Sequence, residues 1–165
     1  LFYENTRIYR LLPRPGYTLD QNGNINYDAF GKLIDAVAAG VDAVCVCGTT
    51  GESATMTIRE HIAAVEYLLK RVDHRVKVID RRGGNDTTAA VYLSQHAQDS
   101  GADALLHVTP YYNKCSQAGL IRHYEYIADR VELPIILYNA LPDRRFLHAE
   151  TYQVLSQHPK IQRRQ

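Results

Sequence analysis

No single charge dominates this sequence. Its 19 Lys and Arg against 18 Asp and Glu leave a formal net charge of +1 with histidines neutral. No stretch forms the basic stripe that would neutralise a phosphate backbone, so a small molecule is expected as partner and nucleic acid is not. Long apolar runs are missing as well. None approaches the ~20 residues that cross a bilayer, so no membrane partner is expected. The opening LFYENTRIYRLL lacks the charged, apolar and small-residue succession of a secretory leader, which makes the cytoplasm the expected location. Cysteine is scarce: Cys45 and Cys47 alternate within an apolar stretch and Cys115 lies far off. That is neither a CxxC pair nor an even disulfide framework, and buried free thiols acting as small hydrophobes are expected instead. There is no GxGxxG after the first strand, no HExxH, no paired metal-ligand cluster, and no serine nucleophile with a His/Asp pair. Metal and triad chemistries lose ground, and neither a metal nor a cofactor is expected.

What the sequence does hold is an alternation. Its 165 residues suit one domain, expected over 1–165. INYDAFGKLIDAVAAG (25–40) sets Phe30, Leu33, Ile34 and Val37 at helical spacing and ends on glycine, and VDAVCVCG follows as a short buried strand. TIREHIAAVEYLLKRV (57–72) is predicted helical, with Thr57 and Glu60 spaced as a capping box, before a strand over 76–80. A helix over 86–101 with Asp86 as N-cap leads to a strand over 103–110. A helix over 116–131 leads to a strand over 134–139, and a last helix, about 149–157, precedes a sixth strand position at 161–165.

Strands alternating with helices of this length imply βαβ units and a parallel sheet. A doubly wound sheet and a (β/α)₈ barrel both fit that pattern. Four segments, GTTGES, RRGGND, TPYYNK and YNALPDRR, leave their strands with polar or reactive residues. Polar chemistry recurring on the C-terminal rim favours the barrel, here an incomplete one of about five to six βα units.

In Gly48-Thr49-Thr50-Gly51 the glycines allow close backbone approach, and the following helix start offers free N–H donors. The stretch alone fits an anion seat and a glycine turn capped by its threonines equally well. Tyr111 and Tyr112 beside Asn113 are open to packing or to chemistry. Tyr138 closes a strand among apolar neighbours, so its phenol needs a partner, and a Tyr–Thr–Tyr hydroxyl chain would carry protons without a charged group. His61, His96 and His123 fall within helices and are expected to be solvated or capping.

CGTTGESATM, GGNDTTAA, VTPYYNKCSQAGL and LPIILYN, in this order and at these separations, resemble the dihydrodipicolinate synthase family within the N-acetylneuraminate lyase superfamily. The likeness runs from about residue 25 to the end. It implies a (β/α)₈ class I aldolase, a homo-oligomer built as a dimer of dimers. Such an enzyme holds pyruvate as a lysine Schiff base and condenses it with aspartate semialdehyde on the route to diaminopimelate and lysine. Carried over by motif, Thr49, Tyr112 and Tyr138 form the proton relay, with Tyr112 acting across the tight dimer interface. Thr50 binds the pyruvate carboxylate, and Arg144, with Arg145 as the alternative register, binds the substrate carboxylate. Ser53, Ala54, His61, Asn85 and Tyr111 match parts of the family's lysine-inhibitor cleft, whereas Ile58 and Ala89 do not.

Several positions depart from the pattern. The family's HPNIVGIKE, which carries the Schiff-base lysine, reads HPKIQRRQ here, setting Gln165 at the lysine position, and an amide forms no imine. An AGTG-like strand end becomes DRRG, which sets Arg81 and Arg82 on the rim. The family's first strand is replaced by YRLLPRPGY. A truncated half-barrel without activity, and a pyruvate aldolase using another aldehyde, are therefore alternative expectations.

Overall fold

The computed structural model describes residues 8–10, 19–48, 53–139 and 147–162, and at 8–10 the backbone alone. Strand and helix alternate throughout: β1 (Ile8–Arg10), α1 (Tyr27–Ala38), β2 (Ala43–Val46), α2 (Ile58–Val72), β3 (Lys77–Arg82), α3 (Thr87–Asp99), β4 (Ala104–Val108), α4 (Gln117–Ala128), β5 (Ile135–Tyr138), α5 (Ala149–Leu155) and β6 (Ile161–Gln162). The residues fall into two compact units, one holding 1–80 and 100–102, the other 81–99 and 103–165.

In the first unit β1 pairs parallel with β2 and β2 with β3, in the register Val44↔Val78, Cys45↔Ile79, Val46↔Asp80. Parallel pairing of consecutive strands requires a crossover, and α1 and α2 supply it. Each helix starts where its sequence supplies a cap. Asn26 accepts from the Ala29 N–H at 3.1 Å. Thr57 and Glu60 form the expected capping box, with the Thr57 N–H donating to Glu60 at 2.8 Å and the Glu60 N–H donating to Thr57 at 3.2 Å. The core is apolar: Phe30, Ile34, Val44, Val46, Val65, Leu68 and Val78 pack together, all buried. Each such side chain removed from water contributes about 1.5–3 kcal/mol. Val44, Val46 and Val78 share the helix-facing side, so Cys45 and Ile79, one residue out of step, face the other way.

In the second unit β4 pairs parallel with β5 (Leu105↔Ile135, His107↔Leu137, Val108↔Tyr138) and β5 with β6 (Ile135↔Ile161). Asp86 caps α3 as expected, accepting from the N–H groups of Thr88 at 2.8 Å and Ala89 at 3.2 Å, and Ser116 caps α4 by accepting from Gly119 at 3.1 Å. Gly83 turns the chain after β3 with φ +106°, and a Cβ there would meet the Val108 backbone nitrogen at 2.7 Å, so only glycine fits both the dihedral and the contact.

The βα repeats and sequential parallel pairing are those of an incomplete (β/α)₈ barrel, as the sequence led us to expect. Differences lie at element ends. β3 runs on to Arg82, two residues past the predicted stop, and Arg82 is buried at 2% exposure rather than standing on the rim. Cys45, Cys47 and Cys115 form no disulfide, and the first two are buried, as expected. Among the described residues no helix is long and apolar enough to cross a membrane.

Candidate active site

Backbone parity decides which side chains of the second unit face away from the helices. His107 on β4 contacts Ser94 of α3, so its register partner Leu137 shares the helix side, and Val108 and Tyr138 take the opposite side. Tyr138 is half-buried there. On β3, Asp80 and Arg82 alternate with Arg81, and Arg81 sets its guanidinium carbon 5.8 Å from the centre of the Tyr138 ring. A cation over a phenol face at this range is an attractive contact.

The loop after β4 is pinned rather than loose. The Tyr112 N–H donates to the Asn85 side-chain oxygen at 2.9 Å, and the Asn113 amide donates to the Asn85 carbonyl at 2.9 Å. These two bonds hold the loop after β3 and the loop after β4 together and leave Tyr112 82% exposed. After β5, Asn139 does similar work: its side chain donates to the Leu147 carbonyl at 3.2 Å and accepts from the Leu147 N–H at 3.1 Å. Both ends of that crossover are thereby fixed.

Behind the strands lies a polar layer that the sequence did not announce. The Ser94 hydroxyl donates to the Ala90 carbonyl at 2.6 Å. Having one proton, it must accept from His107 Nε2 at 3.0 Å, which makes Nδ1 the unprotonated ring nitrogen. His107 is fully buried, and burial, with His123 and Arg82 adding to it, drives its pKa down to about 3. His123, also buried, shares a 2.8 Å hydrogen bond with Thr87, and desolvation lowers its pKa too. Tyr124 has its hydroxyl buried without a hydrogen-bond partner among the described residues, and burial raises its pKa. The solvated role expected of helical histidines therefore fails at His123. It fails also at His61 in the first unit, which is buried with Nε2 3.8 Å from Asp80. At His61, a charged residue inside the strand that follows its helix was the signal available.

Of the expected site residues, Tyr112 and Tyr138 stand on the loop after β4 and at the end of β5. Thr49, Thr50, Arg144 and Gln165 lie outside the described residues. Asn85 was expected only in an inhibitor cleft, and its role as the clamp of the Tyr112 loop emerges from the structure. Among the described residues no group of three or more His, Cys, Asp or Glu is placed to hold a metal ion.

The lysines divide clearly. Lys160 precedes β6 and donates to the Val131 carbonyl and, at 3.0 Å, to Glu132, so its amine is tied at the N-terminal end of the strands. Lys77 opens β3 at that same end of its own strand, Lys32 and Lys70 are exposed on helices, and Lys114 is exposed at the end of the tyrosine loop.

A profile of the dihydrodipicolinate synthetase family matches residues 8–162. The 4-hydroxy-tetrahydrodipicolinate synthase of Acetivibrio thermocellus is 47% identical over 131 residues, 79% of this chain and 44% of the relative. Dihydrodipicolinate synthase from Aquifex aeolicus matches in structure with a TM-score of 0.85 at 41% identity, over 92% of this chain and 51% of its own. The chloride-inhibited dihydrodipicolinate synthase from Acinetobacter baumannii, solved with pyruvate, gives 0.86 at 34% identity, over 95% of this chain and 54% of its own. The chain spans about half the length of these relatives. Profile, identity and fold agree along nearly all of the chain: it belongs to the dihydrodipicolinate synthetase family.

Proposed function

We propose that this chain carries the keto-acid seat and proton relay of a class I aldolase of the 4-hydroxy-tetrahydrodipicolinate synthase type. The full reaction condenses pyruvate with aspartate semialdehyde in the cytoplasm, on the route to diaminopimelate and lysine. The observation that carries the reading is the arrangement of strand ends within a chain of this family. Tyr138 closes β5 on the side away from the helices, and Asn85 clamps the loop that presents Tyr112.

In this reading Thr50 binds the pyruvate carboxylate through hydroxyl and backbone N–H, and Arg144 takes the carboxylate of the aldehyde. A lysine amine adds to the pyruvate ketone. The relay Thr49, Tyr138 and Tyr112 protonates the departing hydroxyl, which leaves as water and gives the imine. Loss of a methyl proton then yields the enamine that attacks the aldehyde carbon. Neutral hydroxyls serve here because each accepts one proton as it gives up another. The exposure of Tyr112 suits completion of the relay in a neighbouring subunit of a homo-oligomer arranged as a dimer of dimers.

Titration of the chain with pyruvate, followed by NMR, tests the seat. Saturable binding weakened about tenfold by Thr50→Val supports it, a size suited to losing one hydrogen bond to a charged group. Absence of saturable binding overturns it. A second reading, a seat without its own nucleophile, is favoured by the placement of Lys160 at the N-terminal end of the strands and by the amide at Gln165.

A further inference from the structure

The loop that carries Tyr112 is fastened to Asn85, and what fastens Asn85 lies on another helix. Asn85 stands just before α3, whose first residue, Thr87, shares a 2.8 Å hydrogen bond with His123 of α4. Asp86 bonds back to the N–H groups of Thr88 and Ala89, which shapes the first turn of α3 without tying it to another element. The chain leading in adds little restraint: Gly83 is locked against the Val108 backbone, but a Cβ at Gly84 would meet nothing within 4 Å. His123 suits the role of anchor. It lies about two turns into α4, is 7% exposed, and sets its ring edge-on to that of fully buried Tyr124, with centres 5.1 Å apart. Further along, α3 is tied separately, by Ser94 to His107 and by the Gln95 amide donating to the Arg130 carbonyl at 3.1 Å. Loss of the bond at Thr87 would therefore loosen the first turn of α3 and leave the rest of the helix in place.

We infer that His123 is a positioning residue for Tyr112: by holding Thr87 it sets where Asn85 stands, and Asn85 sets the loop. The coupling follows a closed path, because the tyrosine loop runs on through the Ser116 cap into α4, the helix that carries His123. The Asn85 clamp and the His123 bond are the two cross-ties of that circuit, each joining the segment after β4 to the segment after β3. A hydrogen bond tolerates little displacement, so a shift of Asn85 by about 1 Å takes its oxygen out of range of the Tyr112 N–H. A proton relay is equally intolerant, since a misplacement of about 1 Å costs on the order of a hundredfold in rate. That consequence rests on the relay reading above, whereas the coupling of His123 to the loop does not.

Amide exchange followed by NMR on the full 165-residue chain tests the coupling. The probe is the Tyr112 N–H, and the references are the Leu105 and Ile135 N–H groups, which donate to the Pro134 and Lys160 carbonyls. We expect Thr87→Val and His123→Leu each to speed Tyr112 exchange about fivefold relative to those references, the size of one lost hydrogen bond. Thr87→Ser and His123→Asn, which keep a hydrogen-bonding atom close to the lost one, should restore most of the protection. In an Asn85→Ala background, where the bond to Tyr112 is already gone, His123→Leu should add nothing, because the two act in series. Should His123→Leu fail to fold, Thr87→Val carries the same expectations. Unchanged Tyr112 exchange, a rise matched by the references, or an equal rise in the Asn85→Ala background overturns the inference, the last two marking His123 as a residue of general stability. Pyruvate binding does not enter the measurement, so failure of the keto-acid seat leaves this coupling standing, and failure of the coupling leaves the seat standing.

Discussion

The layer between strands and helices is built differently in the two units. In the first it is an apolar jigsaw of Phe30, Ile34, Val44, Val46, Leu68 and Val78, relieved by the His61–Asp80 approach. In the second, the same layer holds His107, Ser94, His123 and Thr87 beside Leu105, Leu120 and Ile127. An apolar layer derives its stability from area and shape. A polar layer adds directional bonds that fix orientation, at the cost of groups that must stay neutral. The contrast teaches where each unit is vulnerable: the first to cavities, the second to protons.

The largest effect should come from breaking the first kind of layer. Leu68→Ala, at a position with no exposure, should cost about 2–5 kcal/mol in urea unfolding and lower hydrogen-exchange protection first across α1, β2 and α2. A cost under about 1 kcal/mol would mean that this layer collapses to fill the cavity.

Acid should find the second. Unfolded histidine takes up a proton near pH 6.5, whereas folded His107 resists protonation until about pH 3. Between those values the unfolded state binds more protons, so stability is full above about pH 6.5, falls as pH drops through the window, and levels off below it. The expected loss is on the order of 3 kcal/mol by about pH 4, read from unfolding midpoints against pH. His107→Val should flatten that slope, because Ser94 keeps its bond to Ala90 without the imidazole. An unchanged slope would move the acid sensitivity elsewhere.

Smaller still is the local signal. Thr57→Ala removes one half of the capping box and should cost about 1 kcal/mol, seen as early fraying of the first turn of α2. A null result would mean that packing of Val65 and Leu68 alone sets where the helix begins.

The architecture was legible because its signals are repetitive: helical spacing, caps at Thr57 and Asp86, and apolar strands between them. Charged residues inside an element misled. The predicted strand stopped at Asp80, before two arginines, yet Asp80 and Arg82 are both buried on the helix side of a strand that continues to Arg82. His61 and His123 hid for the same reason, since one residue type serves surfaces and buried polar layers alike. At the site, Tyr138 was legible as a phenol closing an apolar strand. The clamp made by Asn85 was not, because a bond from one loop to the next leaves no periodic trace.

The central claim is the proposed one: this chain carries a keto-acid seat, while Gln165 stands where the family resemblance sets the Schiff-base lysine. Borohydride trapping tests it most directly: incubate the chain with pyruvate, reduce, and read the intact mass and peptide map, with a trapped family member in parallel. The account predicts saturable pyruvate binding and no reduced adduct. A stable adduct on any one lysine, Lys160 included, would contradict it.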